Sequence, residues 1–362
     1  MPASLSTLRT VALPVAALLL TAAVWGRELP AVLLVVVGAV LVAAVLVAVH
    51  HAEVVAHRVG EPFGSLVLAV AVTVIEVGLI LSLVLSGGEG PETLARDTVF
   101  AAVMITTNGI VGLCLLVGAL RHHVVVFRAE GSSGGLAAVL ALATLCLVLP
   151  SFTTSTPGPT FTGPQLAFAA VVSLVLYGTY VVVQTVRHRD YFLPVPRGDG
   201  SAAPEHEDPP SSRTALLSLV LLLASLVAVV GLAKTVSPAL ESGVRALGAP
   251  LSAVGVAIAL LVLLPETIAA VRAASRDRLQ TSFNLAYGSA LASIGLTIPT
   301  IAVASIWLEG PLVLGLGGTE TVLLALTAVV GILTVASGTA IVLEGAVHLV
   351  ILAAFLVIAI TP

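Results

Sequence analysis

The chain has 362 residues, of which 58% are hydrophobic and 9% are charged, and its formal net charge is -4. With a mean hydropathy of +1.16, most of its surface must face lipid, which excludes a water-soluble globular fold. The sparse charges fall in short loops, so we expect no nucleic-acid-binding surface. Cys114 and Cys146 lie in apolar runs without metal-binding spacing, and we interpret both as core residues.

Gly, Pro and charged residues divide the chain into eleven apolar blocks, each close to the roughly 20 residues that a spanning helix needs. The sequence therefore predicts an all-α polytopic membrane protein with about eleven transmembrane helices. We place them at residues 10–26, 29–49, 64–86, 97–119, 135–150, 164–186, 214–234, 249–272, 281–306, 319–337 and 339–360. The first block has the short apolar core of a signal peptide, but we favour an uncleaved helix.

The distribution of Lys and Arg predicts the orientation of the chain in the membrane. With the N-terminus in the cytoplasm, eleven basic residues fall in inner loops: Arg9, Arg58, Arg121, Arg128, Arg187, Arg189, Arg197, Arg213, Arg272, Arg276 and Arg278. Only four fall in outer loops, namely Arg27, Arg96, Lys234 and Arg245. We therefore expect a cytoplasmic N-terminus and a C-terminus on the outside.

One long polar connection, between residues 187 and 214, is rich in Pro, Ser and charge and cannot bury a core. It separates two sets of five helices, and an odd number of spans per set inverts the second set relative to the first. Inverted repeats are typical of secondary transporters. We therefore expect an N-terminal helix (1–28), a first repeat (29–186), a polar and acidic cytoplasmic linker (187–213) and a second repeat (214–362).

Two glutamates lie inside membrane-length apolar runs, Glu76 within residues 64–86 and Glu266 within residues 250–272. A carboxylate in hydrocarbon costs a few kcal/mol unless it meets a cation, a proton or a partner, so it marks a functional site by default. Each glutamate lies on the second helix of its repeat, which predicts one shared cation site. For either residue alone, a protonated glutamate bonded to a neighbouring helix is the simpler alternative.

A helix rich in small and polar residues follows each acidic helix. The first carries Asn108, and the second carries Ser289 and Ser293, which are four residues apart and share one helix face. Their oxygens are candidate cation ligands, although such residues also hold membrane helices together, and the sequence leaves both roles open.

Backbone carbonyls are further candidate ligands. Val72 and Val262 each precede a glutamate by one turn. Their carbonyls would be available if the helices were locally unwound, which Pro265 favours beside Glu266.

Four stretches of the sequence resemble the cation/calcium exchanger superfamily, and within it the bacterial ChaA-type calcium/proton antiporters. They are GEPFGSLVLAVAVTVIEVGLI (60–80), RDTVFAAVMITTNGIVG (96–112), LLPETIAAVRAASRDRLQTSFNLAYGSALASIGLTIP (263–299) and LEGAVHL (343–349). The resemblance implies two inverted repeats whose essential glutamates are Glu76 and Glu266, with Asn108, Ser289 and Ser293 beside them. It also implies a multi-pass protein of the bacterial cell membrane. Where many relatives carry Gly-Asn before each glutamate, this chain has Val72-Thr73 and Val262-Leu263.

These features predict a secondary active antiporter that extrudes Ca²⁺ in exchange for protons by alternating access, and no bound cofactor. Ca²⁺ takes six to eight oxygen ligands. In an empty site both acids lose hydration and repel each other, which favours protonation, so cation and protons exclude one another. Na⁺/H⁺ or K⁺/H⁺ antiport by the same site, or a cation channel, are the alternatives. The sequence contains no HExxH, GxSxG or Walker motif, which argues against an enzyme or an ATP-driven pump.

Three further groups of polar residues have a functional and a structural interpretation. His50, His51, Glu53, His57 and Glu61 could collect cations or sense pH, but we favour a segment at the membrane surface. Glu205, His206, Glu207 and Asp208 could sense Ca²⁺, but we favour a solvated linker. Glu344 and His348 could relay protons, but we favour an interhelical hydrogen bond.

Overall fold

A computed structural model describes residues 5–27, 29–60, 63–84, 91–195, 210–246, 248–250, 252–307 and 310–361. Most of these residues are helical, because long runs of Leu, Val and Ala in lipid must satisfy every backbone polar group within the segment itself. The α-helices of the described chain are α1 (Leu5–Val24), α2 (Ala31–Val59), α3 (Phe63–Val84), α4 (Pro91–Met104), α5 (Val111–His122), α6 (Ala129–Ala143), α7 (Gly163–Val182), α8 (Ser212–Ala246), α9 (Ser252–Val262), α10 (Leu264–Ser275), α11 (Leu279–Ala304), α12 (Gly318–Ala336) and α13 (Val342–Ile360).

Short segments of other structure join these helices. Three are π-helical, at Ile105–Ile110, Thr144–Val148 and Val183–Arg187, and two are 3₁₀-helical, at Leu149–Phe152 and Arg189–Phe192. Two two-residue strands, β1 (Val125–Val126) and β2 (Thr339–Ala340), pair antiparallel. The first π-helical segment joins α4 to α5 within one membrane-length helix, and we call it the π segment below.

Nine helices in the described part of the chain are long and apolar enough to cross a membrane. They are Ala31–Val59, Leu66–Val84, Glu92–His122, Ala129–Phe152, Gly163–Arg187, Ser212–Ala246, Leu279–Ala304, Gly318–Ala336 and Val342–Ile360. The pair α9 and α10, bent by 52°, adds one more span if it is counted as one, and the apolar part of α1, Thr10–Val24, is shorter. Each predicted block overlaps one of these stretches, and the predicted all-α polytopic fold is confirmed.

Two of the predicted helix ends were wrong. The helix α2 continues past residue 49 to Val59, and it ends at Gly60, whose φ of 77° suits glycine. The histidines 50, 51 and 57 are therefore helical rather than part of a separate surface segment. His51 is buried, and its Nε2 lies 3.1 Å from the carbonyl oxygen of Thr10 in α1. Glu61 lies outside the described residues, as do residues 205–208 of the acidic linker.

The other wrong end belongs to α8, which runs on from the predicted end at residue 234 to Ala246. Lys234 at the predicted end is exposed, and its ammonium lies 5.3 Å from the ring centre of Trp25, which directly follows α1. A cation that rests on an aromatic ring can stay at the membrane surface without ending the helix.

The chain forms two compact units that each draw on both halves of the sequence. The first consists of Met1–Leu94 and Asp208–Val262, and the second of Ala95–Glu207 and Leu263–Pro362. The units therefore do not coincide with the predicted repeats 29–186 and 214–362. The assignment of inverted repeats stays a prediction.

In the first unit, α2 and α8 are the central helices. Both contact α1, α3 and α9. Small residues allow the close crossings: a Cβ on Gly78 of α3 would lie 2.6 Å from the side chain of Val230, so only glycine permits this approach of α3 to α8.

In the second unit, α11 is the central helix and contacts α5, α6, α7 and α10. Its side chains Phe283 and Tyr287 are buried and form an aromatic row with Phe127. At one end of the unit β1 pairs with β2, and elsewhere an isolated bridge joins Thr160 to Val313. These pairings tie the loops before α6 and α13, and those before α7 and α12, to one another.

Candidate functional site

Glu76 lies in α3 of the first unit, and its side chain is 3% exposed. The helix packs against α2, α8 and α9, so this acid is held among helices rather than turned to lipid. The neighbouring Val72 is also buried. Because α3 is continuous from Phe63 to Val84, the unwinding that would free the Val72 carbonyl is not seen. Val72 as a ligand stays a prediction that the helix geometry does not favour.

Glu266 lies in the first turn of α10 in the second unit, and its side chain is 9% exposed. The predicted break beside Pro265 is present: α9 ends at Val262, and Leu263 has ψ near 0° before α10 begins. Proline lacks the N–H that would bond the carbonyl of Leu261, and its ring clashes with that carbonyl. The break places Glu266 in the first turn of a helix, where a negative charge is favoured.

The remaining predicted ligands lie on two elements of the second unit that contact α10 and each other. Asn108 lies in the π segment and is fully buried, while Ser289 and Ser293 lie on α11, where Ser289 is partly buried and Ser293 is buried. The π segment, α10 and α11 contact one another pairwise. The second unit thus gathers Glu266, Asn108, Ser289 and Ser293, whereas Glu76, Val72 and Val262 belong to the first unit. That the two sets form one site stays a prediction.

The Asn108 side chain is held at both ends by hydrogen bonds within the second unit. Its Nδ2 donates to Oγ1 of Thr327 in α12 at 2.9 Å and to Oγ1 of Thr107 at 3.3 Å. Its Oδ1 lies 3.2 Å from Nδ1 of His348 in α13. One amide group therefore links the π segment to two other helices.

The orientation of this amide follows from the hydroxyl groups around it. The Thr107 hydroxyl donates to the carbonyl oxygen of Val103 at 2.6 Å, so its oxygen is left to accept a hydrogen bond. Only the NH₂ end of Asn108 can donate to it, which turns Oδ1 toward His348. Since Oδ1 cannot donate, Nδ1 of His348 carries the hydrogen of that contact.

His348 is buried, and its second ring nitrogen, Nε2, lies 3.1 Å from Oγ1 of Thr334 in α12. This is the interhelical hydrogen bonding that the sequence favoured for this residue. Among the described residues, Glu344 makes no direct hydrogen bond to His348. Its carboxylate accepts from the backbone N–H of Ile341 at 2.9 Å, at the start of α13.

Sequence reasoning missed Thr327 and Thr334. They are seven residues apart in the apolar part of α12 and therefore share one face, a spacing that marks them as an interhelical polar pair. Among the residues that the structure describes, no three His, Cys, Asp or Glu side chains are grouped to hold a metal ion.

The comparisons with known proteins agree with this architecture. The model of the sodium/calcium exchanger protein family matches residues 29–186 and 217–361. The chain belongs to the sodium/calcium exchanger family. The first matched stretch begins after α1, and the second begins within α8.

Two curated relatives align with nearly the whole exchanger. A candidate ionic transporter, y4hA of Sinorhizobium fredii, is 49% identical over 92% of this chain and 90% of its own. The sodium-potassium/proton antiporter ChaA of Escherichia coli is 33% identical over 92% of this chain and 91% of its own. The predicted membership of the ChaA-type cation/calcium exchangers is confirmed. The exchanger is thus a multi-pass membrane transporter with bacterial relatives, from a family of transporters rather than enzymes.

Solved structures share the fold. Native YfkE superposes with a TM-score of 0.72 at 17% identity, covering 98% of this chain and all (100%) of that one. The H⁺/Ca²⁺ exchanger CAX superposes with a TM-score of 0.66 at 18% identity, covering 97% of this chain and 91% of that one. At these identities the likeness establishes the fold of the exchanger and leaves its cation to be argued from its own residues.

Proposed function

We propose that this exchanger extrudes Ca²⁺ from the cytoplasm in return for protons, and that Glu76 and Glu266 alternately bind the cation and the protons. The observation that carries the proposal is that both acids are buried, at 3% and 9% exposure, in separate apolar spans of a membrane transporter. Two carboxylates balance the charge of one divalent cation, and two protons balance it equally when the cation leaves.

Neutral oxygens complete the proposed ligand set. Asn108 and the serines 289 and 293 lie on elements that contact α10, and the helix break leaves the carbonyl of Val262 one turn before Glu266. Such a set offers the mixture of charged and neutral oxygens that Ca²⁺ accepts. Exchange then requires that the protein switches between its inward-open and outward-open states only when the acids carry either the cation or protons.

Replacing either glutamate by glutamine tests this mechanism. Glu76→Gln and Glu266→Gln keep the shape and remove the charge, so each should reduce cation-dependent proton flux in everted vesicles by at least about tenfold. Glu130→Gln, at an exposed acid in the first turn of α6, is the matched control and should transport normally. Amounts of folded protein are compared by size-exclusion chromatography in detergent.

Normal flux in either buried-site variant, with normal amounts of folded protein, would remove that glutamate from the mechanism. A loss of flux in the Glu130→Gln control would show that the assay reports general damage instead.

Monovalent cation/proton antiport is the second candidate, because the relative that is 33% identical is named a sodium-potassium/proton antiporter. The same two acids could bind Na⁺ or K⁺ with one proton retained. Proton flux driven by Ca²⁺, Na⁺, K⁺ or Mn²⁺, each supplied alone and then in competition, separates the candidates. Ca²⁺ antiport predicts half-saturation by Ca²⁺ at the lowest concentration, and the reverse order would assign the protein to monovalent exchange.

A further inference from the structure

Two glycines bring α13 against α5 beside the π segment. A Cβ on Gly112 of α5 would lie 2.8 Å from Cβ of His348, and a Cβ on Gly345 of α13 would lie 2.6 Å from the backbone nitrogen of Leu116. Only glycine at both positions permits this approach. The crossing sets the His348 ring beside Asn108, one turn from each glycine.

Hydrogen bonds hold both ends of the Asn108 amide in one orientation. Its NH₂ end is shared between Thr327 and Thr107, and its oxygen accepts from Nδ1 of His348. An amide oxygen has two lone pairs, and His348 occupies one of them. The other lone pair has its direction set by these three contacts, because the planar amide cannot turn without breaking at least one of them.

We propose that His348 is a positioning residue of the cation site: its Nδ1–H aims the carbonyl oxygen of Asn108, which contacts the cation. The inference rests on the proposed function, in which Asn108 is a ligand. A ligand that is held in its binding orientation before the cation arrives pays less to be ordered on binding, so a loss of this contact lowers affinity. His348 acts through Asn108 and does not itself contact the cation.

Thr334 completes the clamp on the far side of the ring. It lies 3.1 Å from Nε2 of His348, and its hydroxyl is also 2.9 Å from the carbonyl oxygen of Val330 in its own helix. The contact between Nε2 and Thr334 thus holds the ring in place, whereas the contact between Nδ1 and Asn108 connects the ring to the proposed ligand. The two ring nitrogens have separate roles that substitution can distinguish.

Two amide substitutions separate these roles. In His348→Asn the side-chain NH₂ group can take the place of Nδ1 and keep the bond to Asn108, whereas in His348→Gln the longer side chain can take the place of Nε2 and keeps only the bond to Thr334. Neither side chain titrates, so a difference between the variants cannot arise from protonation. Initial rates in everted vesicles, with Ca²⁺ alone and with Na⁺ alone as test cations, give the half-saturating concentration and the maximal rate.

We expect His348→Asn to stay within about twofold of the unmodified protein, and His348→Gln to raise the half-saturating concentration about fivefold with a maximal rate changed less than about twofold. A fivefold change matches the loss of one neutral hydrogen bond. In an Asn108→Ala background the two histidine variants should have equal half-saturating concentrations, because the group that His348 positions is gone. Equilibrium binding of the same cations to purified protein replaces rates if that background is slow.

Three results would overturn the proposal. They are equal effects of His348→Asn and His348→Gln on half-saturation, a reduced yield of folded protein with unchanged half-saturation in both, and a difference between the variants that persists in the Asn108→Ala background. Normal transport by Glu76→Gln or Glu266→Gln would contradict the proposed function itself, and these variants are measured separately.

Discussion

Individual polar side chains carry most of the information in this chain, because a polar atom in an apolar span stands out. Glu76, Glu266 and Asn108 could therefore be selected from the sequence, and all three are buried. Their hydrogen-bond partners could not be selected in the same way. The hydroxyl of a helical threonine can donate a hydrogen bond to the carbonyl one turn earlier in the same helix. The sequence therefore does not distinguish Thr327, which accepts a hydrogen bond from Asn108, from a threonine that bonds only within its own helix.

Thr327→Val tests the partner of Asn108 at this scale. The substitution keeps the shape of the side chain but removes the acceptor at 2.9 Å from Nδ2, in a fully buried position. Leaving part of a buried NH₂ group unsatisfied should cost about 1–3 kcal/mol of stability, measured by thermal unfolding of the purified protein in detergent.

The matched control is Thr300→Val in α11, where an exposed hydroxyl bonds only the carbonyl of Leu296 in its own helix. We expect it to change the midpoint of unfolding little. Equal midpoints for the two variants would show that the Asn108 contact to α12 contributes nothing to stability.

At the scale of helices, the two acidic helices differ for a reason that the sequence states. The residue before Glu266 is Pro265, and the residue before Glu76 is Ile75. The helix with Pro265 breaks at Leu263, whereas α3, which has Ile75 at the matching position, is continuous. The π segment had no such signal, since residues 105–110 contain no proline. There the hydroxyls of Thr106 and Thr107 bond the carbonyls of residues 102 and 103, which makes the wider turn tolerable.

The glycine crossing of α5 and α13 gives the prediction at this scale. Gly345→Ala would place a methyl group 2.6 Å from a backbone nitrogen that cannot move aside, so the helices must separate. We expect a loss of about 1–3 kcal/mol in stability, typical of overpacking, together with weaker cation binding.

Gly178→Ala in α7 is the control, because it makes the same change from glycine to alanine within a helix but without a close neighbour. Nothing lies within 4 Å of a Cβ at that position, so the variant should be as stable as the unmodified protein or more so. A Gly345→Ala protein as stable as this control would contradict the tight crossing.

At the scale of the whole molecule, helix order along the chain and helix grouping in space differ. The sequence predicted the order of spans and the long polar linker, because apolar length and charge are local properties. It did not predict that each compact unit takes helices from both sides of the linker. Which helices group together depends on surface fit between distant segments, and a single sequence does not display that fit.

The interleaved units predict how a divided chain behaves. Cutting the gene between Ala202 and Ala203 yields two fragments, neither of which contains a complete unit. Co-expressed fragments should associate in the membrane and restore at least about half of the transport of the intact chain, whereas each fragment alone should be degraded. Transport and protein amount in everted vesicles provide the measurement. A single fragment that is stable and transports would contradict the grouping.

Interleaving also imposes a waiting time during synthesis. At roughly 5–20 residues per second, about 11–44 s pass between the synthesis of Asn108 and the synthesis of Thr327. Throughout that interval Asn108 lies in a nascent bilayer segment whose partners on α12 and α13 have not been translated. The hydrocarbon core of the bilayer contains no water that could hydrogen-bond the amide in their place. The early helices of the second unit therefore enter the membrane before the groups on α12 and α13 that satisfy this amide, and their packing is completed only when the last helices leave the ribosome.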